Sequence, residues 1–118
     1  MSTTRWQGIF PAVTTKFHPD ERIDAEGTAR HIDFQIRNGI HGVVTCGSLG
    51  EASTLSLEEK LDVARIAMEA SDGRVPVLAN VSETSTREAL RYIDGGNQLG
   101  VAGYMVMPSV IYVADAHE

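Results

Sequence analysis

Short apolar runs alternate with longer segments of helical period, and this alternation confines the chain to folds built from parallel βα units. The runs occupy residues 8–15, 42–46, 75–81 and 103–107. Each is nearly all apolar, as strands covered on both faces must be. Three helices are expected between them. In residues 23–38, Ala29, Ile32, Phe34 and Ile36 supply the apolar positions, with Asp24 placed to cap the start and Gly39 to end it. Ser56-Leu57-Glu58-Glu59 predicts a capping box: Ser56 accepts from the Glu59 amide while Glu59 reaches back. Leu57, Leu61, Ala64, Ile66 and Met68 follow it, and Lys60 is expected on the charged side of that helix. Ser85-Thr86-Arg87-Glu88 predicts a second box, ahead of Ala89, Leu90, Ile93 and Leu99, with Gly100 at the far end.

A faint repeat supports this division, because Gly39-Ile40-His41-Gly42-Val43-Val44 and Gly100-Val101-Ala102-Gly103-Tyr104-Met105 share one order of glycines and apolar residues. In each, the first glycine suits a left-handed helix terminus and the second a close approach of backbone where a strand begins. Two architectures use such units, an open doubly wound sheet and a (β/α)₈ barrel, and periodicity alone does not choose between them. Four strands make an awkward open sheet. The 118 residues are about half of a barrel whose usual length is ~250 residues. No linker or low-complexity stretch marks a second domain.

With 42% apolar and 22% charged residues the chain has an ordinary soluble composition, so a packed core is expected. A net charge of −6 argues against nucleic acid or an anionic membrane as partner, since both demand concentrated positive surface. The N-terminal residues lack the apolar stretch of a signal peptide, and no run approaches the ~18 apolar residues that cross a bilayer. Cys46 is the single cysteine, which excludes an internal disulfide and fits a reducing cytoplasm. It ends an apolar run with nothing near to lower its pKa, and an inert thiol is expected. His18, His31, His41 and His117 share no ligand spacing and read as solvated or packed.

In parallel α/β folds, ligands bind beyond the C-terminal ends of the strands. The segments leaving the four runs are residues 14–20, 47–54, 80–86 and 108–115. The second is the most informative. In Gly47-Ser48-Leu49-Gly50-Glu51, two glycines bracket a hydroxyl residue directly after a buried strand, so exposed amides there can receive a carboxylate or phosphate oxygen. The plain alternative is a tight turn ahead of a helix. Glu51 is expected to cap loop amides rather than act as a base.

Four stretches, in order, resemble the dihydrodipicolinate synthase and N-acetylneuraminate lyase family. Gly47-Ser48-Leu49-Gly50-Glu51 followed by Leu55-Ser56-Leu57-Glu58-Glu59 is similar to the family's Gly-Thr-Thr-Gly-Glu loop and Leu-Ser/Thr-x-Glu-Glu helix start. Gly8-Ile9-Phe10-Pro11-Ala12-Val13-Thr14 resembles its opening strand. Val75-Pro76-Val77-Leu78-Ala79 with Ser85-Thr86-Arg87-Glu88-Ala89 resembles its third strand and the next helix start. The run from Gly100 to Pro108 resembles its fourth strand. The likeness runs in register from about residue 7 to the last residue.

The resemblance implies that residues 1–118 form the N-terminal part of a single (β/α)₈ barrel domain, about its first four strands and three helices. It implies an aldolase-type mechanism in which a lysine forms a Schiff base with pyruvate or a related 2-keto acid, needing no metal or organic cofactor. It also implies a cytoplasmic homo-oligomer, commonly a tetramer. Carried over by residue, Gly47, Ser48 and Leu49 bind the substrate carboxylate and the Ser48 hydroxyl joins a proton relay.

Departures from the family pattern qualify this. Leu49 replaces a threonine, deleting one hydroxyl from the carboxylate pocket, a loss of about 0.5–1.5 kcal/mol for a neutral hydrogen bond. Where the family has Pro-Tyr-Tyr, this chain has Pro108-Ser109-Val110-Ile111-Tyr112, so Val110 cannot relay a proton and Tyr112 is the candidate substitute. Lys16 and Lys60 are the only lysines, and neither falls where the family carries its Schiff-base lysine, on strand six. That position is expected past Glu118. The alternatives are a non-catalytic half-barrel that binds small carboxylates or self-assembles, and an unrelated barrel with a phosphate loop.

Overall fold

A computed structural model describes residues 3–108 and 115–117. Three strands form one parallel sheet: β1 (Val43–Thr45), β2 (Val77–Val81) and β3 (Gly103–Val106), in that order. Val44 pairs with Leu78, and Leu78 with Gly103. Helix α1 (Ala25–Arg37) precedes β1, α2 (Leu57–Ser71) joins β1 to β2, and α3 (Thr86–Leu99) joins β2 to β3. A short 3₁₀ turn, Ala52–Thr54, lies between β1 and α2. The expected α/β order is therefore present, with narrower strand bounds.

The first apolar run differs from the expected strand. It lies parallel to β1, with the Val13 amide donating to the Val44 carbonyl at 3.0 Å and the Val44 amide to the Pro11 carbonyl at 2.9 Å. Its pairing amounts to one bridge, Ala12 with Val44. Pro11 has a carbonyl to offer and no N–H to return, so a regular ladder cannot extend upstream of it.

The helix caps follow from the sequence. Asp24 Oδ1 accepts from the Gly27 amide at 2.8 Å, and Ser56 and Glu59 complete their reciprocal box at 3.2 and 2.8 Å. The second box forms by half. Ser85 accepts from the Glu88 amide at 3.2 Å, but the Glu88 carboxylate takes Arg91 at 3.1 Å instead of reaching back. Gly39 and Gly100 both have positive φ, 95° and 81°, as the repeat requires. The second glycine of each pair meets an aromatic ring: a Cβ on Gly42 would lie 2.1 Å from Phe10, and one on Gly103 3.0 Å from Trp6.

The helices cover one face of the sheet. Val13, Ile32, Val43, Ala67 and Val77 pack into one cluster, and Ala79, Val81 and Tyr92 into another under α3. By alternation, Ala12, Thr14, Val44, Leu78 and Asn80 belong to the other face. β3 is covered less than the sequence suggests, with Met105 42% and Val106 67% exposed, because it is the outer strand among the described residues.

Lys60 departs most from expectation. It is buried, and its ammonium meets the Glu83 carboxylate at 2.6 Å. Position 60 falls on the inner side of α2, and Glu83, just after β2, arrives to neutralise it. Neither partner tolerates being left alone in low dielectric. Lys60→Ala is expected to lower unfolding stability by about 3–5 kcal/mol in urea titration, whereas Lys60→Met combined with Glu83→Leu restores most of the loss.

Candidate functional site

Because the strands are parallel, the segments leaving them gather along one edge of the sheet, and the decisive one leaves β1. Cys46 adopts a left-handed backbone, φ 55°. Alternation would point its side chain to the open face of the sheet, yet the turn sends it among Ala52, Leu55 and Val63, with Sγ donating to the Lys60 carbonyl at 3.7 Å. Burial pushes the thiol up to about 11, so it is protonated and inert at neutral pH, as expected. Tyr92 lies in the same buried region, its phenol raised well above its usual range, first by burial and then by the neighbouring Cys46 and Glu83.

The loop then closes on itself. The Gly50 amide donates to the Gly47 carbonyl at 3.0 Å, Glu51 to Ser48 at 3.1 Å and Ala52 to Gly47 at 3.2 Å. The amides of Ser48 and Leu49, the two central residues of this turn, have no acceptor among the described residues. Both side chains are exposed, Leu49 at 65%. Two consecutive unsatisfied donors at a strand end can take the two oxygens of a carboxylate.

Two buried side chains fix the ends of the loop. From one side, Asn80 of β2 donates through Nδ2 to the Cys46 carbonyl at 3.1 Å. From the other, the Thr15 hydroxyl donates to the Gly50 carbonyl at 2.8 Å. Gly50 itself has no room for a side chain, since a Cβ would lie 3.0 Å from the Cys46 nitrogen and 3.2 Å from the Val13 carbonyl oxygen. Residue choice pointed to neither clamp. The only available signal was that Asn80 and Thr15 are polar residues inside otherwise apolar runs.

The sequence-predicted residues fare unequally. Gly47, Ser48 and Leu49 form one turn with its donors free. Glu51 does not cap amides: it has φ 61°, is exposed and makes no capping hydrogen bond to the 3₁₀ turn it precedes. Tyr112, with Ser109, Val110 and Ile111, lies outside the described residues. Of the histidines, His41 accepts from the Ile9 amide at 2.9 Å and His31 pairs with Gln35 at 2.8 Å. No group of three His, Cys, Asp or Glu side chains among the described residues is placed to hold a metal ion.

Comparison with known proteins bears on the fold and the family. The family model for the dihydrodipicolinate synthetase family matches residues 5–114. A 4-hydroxy-tetrahydrodipicolinate synthase of Methanoculleus marisnigri is 40% identical over 104 residues, which cover 86% of this chain and 36% of that protein. A protein of Rhizobium meliloti described as an uncharacterized DapA-like lyase is 39% identical over 105 residues, covering 89% of this chain and 35% of its own length. Among solved structures, YagE from E. coli, a prophage protein of the dihydrodipicolinic acid synthase family in complex with pyruvate, superposes with a TM-score of 0.88 at 36% identity. The match covers 93% of this chain and 37% of YagE. Dihydrodipicolinate synthase from Aquifex aeolicus superposes with a TM-score of 0.81 at 31% identity, over 86% of this chain and 34% of that one. The chain thus spans about a third of the length of the relatives it matches. Its parallel strands and covering helices are the corresponding part of their (β/α)₈ barrel. Since the family model matches residues 5–114 and relatives about 40% identical cover most of the chain, the chain belongs to the dihydrodipicolinate synthetase family.

Proposed function

We propose that residues 1–118 are the N-terminal, carboxylate-binding part of a single barrel domain, in a Schiff-base-forming lyase or synthase that acts on pyruvate or a related 2-keto acid. The observation that carries this reading is the pair of free amides at Ser48 and Leu49, held open by the clamps from Asn80 and Thr15. Gly47, Ser48 and Leu49 bind the carboxylate, and the exposed Ser48 hydroxyl enters the proton relay, with Tyr112 as its partner. YagE, solved with pyruvate, supports the choice of ligand.

In the proposed chemistry, a lysine amine adds to the keto carbon and water leaves. The resulting iminium accepts the electron pair released when the neighbouring C–C bond breaks, becoming an enamine; in the reverse direction the iminium loses a proton to give that enamine, which donates the pair to the new bond. The loop's task is to hold the acid so that this carbon faces the amine, which needs fixed donors more than strong ones. Lys60 is engaged by Glu83 and is not available for it. A cytoplasmic homotetramer belongs to the same proposal; no helix among the described residues is long and apolar enough to cross a membrane.

A second reading applies to the 118 residues by themselves: a half-barrel that binds small carboxylates or self-associates without catalysis. The exposed Met105 and Val106 of β3 favour it. Treatment with pyruvate and borohydride tests this second reading. An adduct trapped on this chain would rule out the binding-only reading.

Three outcomes are expected. Titrating ¹⁵N-labelled protein with pyruvate shifts the Ser48 and Leu49 amide resonances before any others, and unchanged resonances at saturating pyruvate would contradict the site. Leu49→Thr, which adds a hydroxyl beside the free amides, tightens pyruvate binding roughly three- to tenfold in the same titration. Gly50→Ala forces the turn away from Cys46 and Val13, so pyruvate no longer moves those amides although the helical circular dichroism is kept.

A further inference from the structure

A cavity of about 940 Å³ lies at the end of the sheet opposite the loop, where the chain enters β1, β2 and β3. Cavities that hold small ligands measure about 300–1,000 Å³. Its lining includes Arg5 and Gly8 of the N-terminal arm, Ser71 and Arg74 at the passage from α2 to β2, and His41 and Ala102, which precede β1 and β3. The arm is fixed in place. Gly8 lies against the His41 ring with no room for a Cβ, and the His41 amide donates to the Ile9 carbonyl at 2.8 Å.

The lining carries one sign of charge. Arg5, His41 and Arg74 converge on the cavity from three separate segments, and no aspartate or glutamate lines it, although the chain has 16 acidic residues against 10 lysines and arginines. The Arg5 guanidinium has no partner among the described residues. Arg74 is held by its own turn: Nε donates to the Ser71 carbonyl at 3.0 Å, and Nη2 to the Ala70 carbonyl at 2.6 Å and to Asp33 Oδ1 at 2.7 Å, which leaves Nη1 over. Asp33 also takes Arg37 at 2.8 Å, so two guanidiniums share one carboxylate and a positive charge stays uncancelled. His41 accepts from the Ile9 amide through Nδ1 at 2.9 Å, which puts the proton of the neutral ring on Nε2 and makes that atom a donor. A recess lined by one sign of charge raises the local concentration of counter-ions, and a guanidinium fork suits paired oxygens.

We propose that this cavity is a second, separate binding site, which takes a small dianion with paired oxygens, a phosphoryl group or a dicarboxylate. Arg5 and Arg74 Nη1 donate to its oxygens and His41 Nε2 adds a third donor. The site stands at the N-terminal ends of the strands, whereas chemistry in parallel barrels takes place at the C-terminal ends, so the anion is bound and not transformed. Its effect is to tie the N-terminal arm to the turn after α2. Nothing in this inference depends on the carboxylate reading of the loop after β1.

The test titrates inorganic phosphate and succinate, separately, into the ¹⁵N-labelled 118-residue protein slightly above neutral pH, with chloride holding the ionic strength constant. At least one of the two is expected to shift the Arg5, Gly8, His41 and Arg74 amide resonances to saturation, and the one that does so at the lower concentration identifies the class of ligand. Arg5→Gln is expected to weaken that binding roughly five- to tenfold. Arg91→Gln, which removes the same charge from α3 outside the cavity, should leave it unchanged. The proposal is overturned if neither anion gives a saturable shift at these residues, or if Arg5→Gln binds as tightly as the unaltered chain. Equal weakening by both substitutions also overturns it, since net charge and not a site would then be responsible.

Discussion

The site depends on the left-handed backbone of Cys46. A non-glycine residue pays about 1–2 kcal/mol to adopt that conformation, and it persists only where the surroundings offset the cost. Here they do so in three ways. The side chain is fully buried against α2, the carbonyl accepts from Asn80, and Gly50 packs directly on the Cys46 backbone. The same conformation aims the loop so that Ser48 and Leu49 are its central residues and turns the inert thiol in among Ala52, Leu55 and Val63. Strain at one residue thus sets the direction of the loop that carries the free amides.

Behind the loop lies a buried, partly charged layer. Lys60 and Glu83 neutralise each other, while Cys46 and Tyr92 remain protonated because burial disfavours their anions. A net charge change at this depth would act on the loop through the Lys60 carbonyl, to which the Cys46 thiol donates. The layer joins the first turn of α2 to the segment after β2, two of the elements that bound the site. Its contacts, with the clamps from Asn80 and Thr15, hold the backbone on both sides of the loop.

Much of the fold was legible because it rests on local rules. Asp24, Ser56 and Ser85 cap the helices they precede, and Gly39 and Gly100 end helices in the left-handed region. The loop was legible because glycines at 47 and 50 bracket it. What escaped was non-local. Asn80 reaches Cys46 across 34 residues and Thr15 reaches Gly50 across 35, distances in sequence over which no periodicity operates. A lysine next to two glutamates reads as a charged helix face, yet Lys60 is buried, because its partner, Glu83, comes from 23 residues away. The position of Glu51 after the glycine-bracketed loop suggests a cap, but the residue has φ 61°, is exposed and makes no capping hydrogen bond. Pro11 fits a strand only in part, since its carbonyl pairs and its nitrogen cannot.

Native-state hydrogen exchange at single-residue resolution tests the central claim most directly, since it reads each loop amide separately. In the free protein, Ser48 and Leu49 should exchange nearly as fast as an unstructured chain, while Gly50, Ala52 and Val44, whose amides are bonded, exchange slowly. Saturating pyruvate should slow Ser48 and Leu49 and leave the other three unchanged. Slow exchange at Ser48 and Leu49 without ligand, or no slowing with it, would mean that the turn after Cys46 does not present free donors to an acid.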